Sequence, residues 1–339
     1  MTDNWENHPL ADETRTALAA VREAGRLCRA VQAEIDPGEL AKQDRSPVTV
    51  ADFGSQALIC RALREAYPGD PIIGEEDSAI LRDSAQAQML ACVAGQVGRL
   101  RPEADSQKVC DWIDLGSAKE YSRRFWTLDP IDGTKGFLRG GQYAIALALV
   151  LDGQVAAAVL GCPNLGPTLE ADRGDGSLFF ALKGGGAWQG PLSVTGNPVP
   201  VKVSGQTEAS LIRFCESVEA AHSSHGDAAR IASRLAITAQ SARLDSQTKY
   251  AVVARGEAEA YLRLPRDHKY REKIWDHAAG LLVVTEAGGR VTDIFGNDLD
   301  FSLGYRLENN RGVVATNTPV HDDVLGAIRD LDIGAVNHP

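Results

Sequence analysis

Apolar positions recur along the chain with two different periods. From 14 to 33, Leu18, Val21, Ala24, Leu27, Cys28 and Val31 fall at helical spacing and predict an amphipathic helix. A second helix is predicted to start near Asp52, with Phe53, Ala57, Cys60, Leu63 and Tyr67 inward, and to stop at Pro68-Gly69. The apolar step Ile72-Ile73 runs into Gly74-Glu75-Glu76-Asp77, after which 79–100 reads as helix and 101–120 as a polar connection. Further on the pattern becomes that of strands. The apolar runs 143–151 and 154–161 flank Asp152-Gly153, a type I′ hairpin signal, and 177–182 and 187–188 continue across Gly184-Gly185-Gly186. An antiparallel sheet with helices from the N-terminal part makes an α+β domain over 1–200. The stretch 190–205, rich in Pro, Gly, Ser and Val, is the candidate boundary. Beyond it, strands at 211–215, 260–264, 290–294 and 312–316 alternate with helices near 226–236, 247–255, 275–287 and 320–331. That alternation predicts an α/β domain over 201–339.

A length of 339 residues agrees with about two domains at ~100–200 residues each. The formal charge of −11 argues against a nucleic-acid polymer or a membrane surface as partner, since both call for a basic face. It does not exclude a small phosphorylated ligand, because metal ions can supply the missing positive charge. No apolar run approaches the ~20 residues of a membrane span, and the polar, acidic start lacks a signal-peptide pattern. The expectation is a cytoplasmic protein with no protein partner implied, a monomer in preference to an oligomer. Cysteines at 28, 60, 92, 110, 162 and 215 are widely spaced without C-x-x-C, and read as reduced thiols.

Candidate chemistry concentrates at Trp126-Thr-Leu-Asp129-Pro-Ile131-Asp132-Gly-Thr134-Lys-Gly-Phe137. Two carboxylates three residues apart end an apolar step, with Pro130 fixing one dihedral and Gly133 permitting a tight turn. Such a turn can aim both carboxylates and the Ile131 carbonyl at one point, a hard-oxygen set suited to Mg²⁺. Thr134 follows where a helix could begin, so its hydroxyl and nearby N–H groups could meet an anion. Alone, the motif fits a solvated acidic turn equally well. Gly74-Glu75-Glu76-Asp77 after an apolar step, and Trp275-Asp276-His277-Ala278-Ala279-Gly280 opening an apolar helix, add two acidic sites. Taken singly, Glu75 reads as part of a surface acidic run and Asp276 as a helix N-cap. Neither explanation accounts for the three clusters together.

The pattern Asp-Pro-Ile-Asp-Gly-Thr at 129–134, with Gly-Glu-Glu at 74–76 and Trp-Asp-x-x-Ala-Gly at 275–280, resembles the inositol monophosphatase superfamily of Mg²⁺-dependent, lithium-sensitive phosphatases. Longer strings resemble its 3′(2′),5′-bisphosphate nucleotidase branch: Val48-Thr-Val-Ala-Asp52, Phe125-Trp126, Lys135-Gly-Phe-Leu-Arg-Gly140, Glu216-Ser-Val-Glu219 with His222-Ser-Ser-His225, Asp245-Ser-Gln-Thr-Lys249-Tyr250, and Tyr261-Leu-Arg263-Leu-Pro265. The resemblance implies a layered αβαβα sugar-phosphatase fold. It implies two or three Mg²⁺ ions held by Glu75, Asp129, the Ile131 carbonyl, Asp132 and Asp276. Asp52 and Thr134 would orient and deprotonate the attacking water. Gly133, Thr134, His222, Ser246, Lys249, Arg263 and Asp276 would contact the substrate, with His222, Ser246, Lys249 and Arg263 holding base, sugar and 5′-phosphate. His225, His268 and His277 receive no ligand role. The implied reaction hydrolyses 3′-phosphoadenosine 5′-phosphate to AMP and phosphate, with 3′-phosphoadenylyl sulfate as a further substrate.

Two alternatives stay open. One is an inositol monophosphatase or sugar (bis)phosphate phosphatase with the same metal nest, against which stand Lys135-Gly-Phe-Leu-Arg and Asp245-Ser-Gln-Thr-Lys249. The other is a non-catalytic nucleotide-sensing protein, against which stand the intact Asp52, Thr134 and metal carboxylates. A P-loop NTPase is excluded by the absence of G-x-x-x-x-G-K-[ST], and a dinucleotide fingerprint is missing at the glycine clusters 174–176 and 184–190.

Overall fold

The computed structural model describes residues 5–35, 46–193, 196–218, 225–265 and 269–334. His222, Glu219 and His268 lie outside them, as does the side chain of His225. Two long helices, α1 (Ala11–Ala33) and α2 (Ser46–Ala66), are followed by strand β1 (Ile72–Gly74) and two shorter helices, α3 (Ala87–Gly98) and α4 (Ser106–Asp114). Next come β2 (Arg124–Asp132), a short helix α5 (Thr134–Leu138), β3 (Ala144–Leu151), β4 (Gln154–Cys162), β5 (Ser177–Leu182), β6 (Gly186–Pro191) and β7 (Val199–Pro200). The last part carries β8 (Phe214–Glu216), α6 (His225–Arg234), β9 (Ala242–Arg243), α7 (Thr248–Ala254), β10 (Ala260–Arg263), α8 (Ala278–Glu286), β11 (Gly289–Thr292), β12 (Val313–Asn317) and α9 (His321–Asp330).

Strands β1 to β7 form one sheet in chain order, antiparallel except for the parallel pair β1–β2. The second sheet runs β11-β12-β10-β8-β9, with β8 parallel to both β9 and β10. Three apolar cores separate five layers. α1, α2, α3 and α4 pack on one face of the first sheet, α7 and α8 fill the space between the sheets, and α6 and α9 cover the outer face of the second. This is the expected αβαβα architecture.

Strand β3 shows why it is an unbroken apolar run. Ile145, Leu147 and Leu149 enter the outer core while Ala144, Ala146, Ala148 and Val150 enter the middle one, so both faces are buried. Small residues on the middle-layer face leave room for helices to approach closely. At the hairpin, Asp152 and Gly153 both have positive φ, as a type I′ turn requires.

Three expectations need correction. The second helix begins at Ser46, not near Asp52, so Asp52 lies in its second turn. Helix α3 is shorter than 79–100: Asp83 caps a 3₁₀ turn at Ser84–Gln86 before it. The polar connection 101–120 contains α4, where the Asp105 carboxylate accepts from Lys108 N–H and Val109, Cys110 and Ile113 supply the buried face. Among the described residues, no helix is long and apolar enough to cross a membrane.

Candidate active site

The parallel register Gly74↔Leu128 sets Glu75, the residue after β1, beside Asp129 on β2, with Glu75 N–H donating to the Leu128 carbonyl at 3.2 Å. Gln56, four residues after Asp52 on α2, fixes this turn. Its Nε2 donates to the Glu76 carbonyl (2.6 Å) and the Ile113 carbonyl (3.1 Å), and its Oε1 accepts from Glu76 N–H (3.1 Å). Ser55 Oγ on the same helix face donates to Pro130 O at 3.0 Å. The start of β2 is anchored too, by Arg124 Nε and Trp126 Nε1 donating to Asp70.

Between Asp129 and Asp132 the β2–β3 register shifts by one residue, at Pro130-Ile131. Proline lacks the N–H that a regular ladder would need, so the irregularity falls where the sequence tolerates it. Gly133 then turns the chain at φ +91° into α5. The Asp132 carboxylate accepts from Gln247 N–H at 2.5 Å, tying the first sheet to the start of α7. Gln247 in turn donates to Trp275 O (2.9 Å) and accepts from Gly280 N–H (3.3 Å), which brings in the segment carrying Asp276. Asp276 itself sits in a 3₁₀ turn, and its side chain does not cap α8.

These elements enclose a cleft of about 270 Å³. Glu75, Asp129, Ile131, Asp132, Gly133, Thr134, Ser246, Lys249, Arg263 and Asp276 all line it. Asp52 does not line it; its carboxylate is buried on α2, within electrostatic reach of Glu75, Glu76 and Asp129. Cleft residues the sequence reading assigned no role include Ser217, Asp245, Tyr261, Tyr270 and His277. Asp245 and Tyr261 fall within the nucleotidase-like motifs, whereas nothing in the local sequence marks Tyr270.

Burial, with the negative charges of Glu75, Asp132, Asp276 and Asp52, raises the Asp129 carboxyl well above the usual carboxylate range. Burial and Asp132 raise Asp276, opposed by Arg263, and burial with Glu76 and Glu75 raises Asp52. Glu75 is solvent-accessible because the cleft is open, yet it is ringed by protein; burial and Glu76 push it to about 7. The carboxylates thus repel one another and call for protons or cations. Asp129 Oδ1 and Asp52 Oδ1 are buried without a hydrogen-bond partner, an unusual state for carboxylate oxygens. Unpaired, hard, crowded oxygens fit divalent Mg²⁺.

A second group, Glu272, Asp276 and His277, has ligand atoms all within 4.8 Å of one another. Two of its members are already satisfied. His277 bonds Tyr250 OH (2.7 Å) and Glu272 (3.1 Å), and Glu272 also accepts from Arg263 Nε (3.3 Å). It is a hydrogen-bonded strut from α7 to Arg263, with Asp276 and His277 at the cleft wall and Glu272 behind them.

The other wall is less open than expected of a phosphate grip. Lys249 is 2% exposed, donates to Ser246 O (2.8 Å) and Leu244 O (3.3 Å), and lies 5.0 Å from the Tyr261 ring centroid. Burial draws its pKa down to about 8 against the pull of Asp132. Ser246 holds φ +67°, a strained conformation for a serine, with Oγ bonded to Thr248 Oγ1.

The sequence pattern of the inositol monophosphatase family matches residues 10–331. A 3′(2′),5′-bisphosphate nucleotidase of Emericella nidulans is 42% identical, with 94% of this chain and 98% of that protein aligned. One of Oryza sativa is 44% identical over 95% of both chains. Among solved structures, an inositol monophosphatase of Anabaena superposes with a TM-score of 0.61 at 21% identity, covering 95% of this chain and 97% of that one, a likeness of fold. With its acidic cleft built on that architecture and the family pattern spanning nearly its whole length, this chain belongs to the inositol monophosphatase family.

Proposed function

We propose that the chain is a Mg²⁺-dependent phosphomonoesterase that removes the 3′-phosphate of 3′-phosphoadenosine 5′-phosphate, with 3′-phosphoadenylyl sulfate as a further substrate. The observation that carries this reading is the buried, unpartnered Asp129 Oδ1 amid Glu75, Asp132 and Asp276, facing a wall that holds Ser246, Lys249 and Arg263. The names of the relatives support the nucleotide over an inositol phosphate. Glu75, Asp129, the Ile131 carbonyl, Asp132 and Asp276 would hold two or three ions. Bound Mg²⁺ supplies the positive charge an incoming phosphate needs and lowers the pKa of water.

The protein's own groups do the rest. Thr134 is exposed at the cleft and Gly133 leaves its backbone accessible, so both can meet the reacting phosphate. Asp52, raised by burial and by Glu76 and Glu75, is a better proton acceptor than an ordinary carboxylate, and relays through Thr134. Arg263, steadied by Glu272, grips the remote phosphate, and Ser246 the sugar. The first 200 residues would supply most of the carboxylates, and the remainder would supply Asp276 and the nucleotide wall.

Phosphate release from 3′-phosphoadenosine 5′-phosphate, inositol 1-phosphate and fructose 1,6-bisphosphate, with and without Mg²⁺, tests the reading. The nucleotide should be the preferred substrate, and only with the metal. Full turnover in a strong chelator, or preference for inositol 1-phosphate, overturns it.

A further inference from the structure

Far along the first sheet from the acidic cleft, and sharing no residue with it, a pocket of about 800 Å³ opens beside α1. Its size is that of a small-molecule site. Arg15, Arg22 and Arg26 of α1 line it, at spacings of seven and four that place them on one helix face, and Arg101 joins them. Such a concentration of guanidinium groups is unexpected in a chain of net charge −11.

Two of these cations are already paired. Arg101 bonds Glu23 at 2.6 Å, and Arg15 pairs with Asp12 and lies over the Trp5 ring. The others are not. Among the described residues, Arg26 has no hydrogen-bond or carboxylate partner, and Arg22 has only a 3.5 Å contact with Pro191 O. The Nε atoms of Arg22 and Arg101 are buried with no acceptor. Burial lowers the Arg22 pKa with no carboxylate to offset it. The remaining lining mixes polar groups, Thr16, Asn197, Glu6 and the Arg101-paired Glu23, with an apolar, partly flat side where Trp5 and Phe180 meet edge to face at 5.1 Å, flanked by Leu18 and Leu178.

We propose that this pocket binds a small organic anion in which a phosphate, sulfate or sulfonate group is joined to a flat apolar ring. The planar guanidinium forks of Arg22 and Arg26 would take the anion, and the Trp5–Phe180 surface the ring.

The probe is 8-anilinonaphthalene-1-sulfonate, an aromatic sulfonate, titrated into the full chain at low ionic strength and followed by its own fluorescence and by quenching of tryptophan. Wild type should show one saturable site. Arg26→Glu, at an exposed and unpartnered position, should fold normally and weaken the dye about tenfold or more, the scale of one lost charged hydrogen bond. Arg22→Gln should do the same, and where it fails to fold, Arg26→Glu decides alone. Phosphate release should be unchanged in Arg26→Glu without dye. Absence of saturable binding to wild type, or equal dye affinity in wild type and Arg26→Glu, overturns the proposal.

Discussion

Gly133 owes its place to sterics. A Cβ built on it would lie 2.9 Å from Ser246 Cβ, and its φ of +91° is one that L side chains rarely adopt. Gly133→Ala should therefore lose about 1–3 kcal/mol of stability and lower kcat/KM, because Asp132 and Thr134 flank the displaced turn. Unfolding in urea alongside steady-state kinetics checks this, and a wild-type midpoint would refute the close approach. Lys249 lines the cleft and also supports it from within. With two N–H donors already given to Leu244 and Ser246 carbonyls, it braces the loop beneath Ser246. Lys249→Ala should cost about 2–3 kcal/mol of stability, two charged hydrogen bonds offset by relief of a buried cation. An unchanged melting temperature with only a raised nucleotide KM would assign it to the ligand instead. The sequence made both residues visible as parts of motifs. It could not show that Lys249 is buried, since a lysine is ordinarily exposed and only the surrounding carbonyls reverse that default.

At the scale of elements, the cleft depends on a helix that touches it only from behind. Asp52, Ser55 and Gln56 occupy one face of α2 at spacings of three and one, and all three are buried. Gln56 holds the turn around Glu75 with two hydrogen bonds to the Glu76 peptide groups and reaches α4 with a third to Ile113 O, and a Cβ on Gly74 would come within 2.7 Å of its Oε1. Gln56→Ala would leave buried peptide groups unpaired, so a loss of about 2–4 kcal/mol is expected, with turnover falling and Mg²⁺ requirement rising. Chemical unfolding and a Mg²⁺ titration of activity measure the two effects; an unaltered Mg²⁺ dependence would show that Glu75 stays in place without the glutamine. Periodicity located α1, β3, β4 and the type I′ hairpin because each buries an apolar pattern of its own. It missed α4, whose nine residues carry only Val109, Cys110 and Ile113 inward. It also misjudged the start of α2, where the β-branched run Val48-Thr49-Val50 reads more like a strand than a helix. The convergence of Glu75, Asp129, Asp132 and Asp276 is a property of sheet register and of the Gln247 bridge, so single segments could only suggest it.

For the whole molecule, the outer layer holds a titratable lock on stability. His321 begins α9 and is fully buried against the second sheet, its two ring nitrogens bonded to Thr292 on β11 (2.9 Å) and Thr316 on β12 (2.8 Å). Burial and the nearby Arg290 lower its pKa from 6.5 to about 4, with Asp322 opposing. The folded state therefore holds the neutral ring, while the unfolded chain takes up a proton once the pH falls below about 6.5. Between pH 6.5 and 4 the unfolded state binds more protons, so stability falls as the pH drops through that window and is fully present above it. At ~1.4 kcal/mol per pH unit, the effect across that window is about 3 kcal/mol at most. The acidic cleft contributes a slope of the opposite sign, because its raised carboxylates hold protons more tightly in the folded state. Only a difference between two proteins separates these contributions. Urea midpoints of wild type and His321→Gln should agree most closely above pH 7 and diverge most near pH 4.5, where wild type is the less stable, because the glutamine keeps hydrogen bonds to the threonines and takes up no proton in the unfolded chain. Parallel curves across the whole range would show that His321 titrates alike in folded and unfolded chains, and the acid sensitivity of the outer layer would have to lie elsewhere.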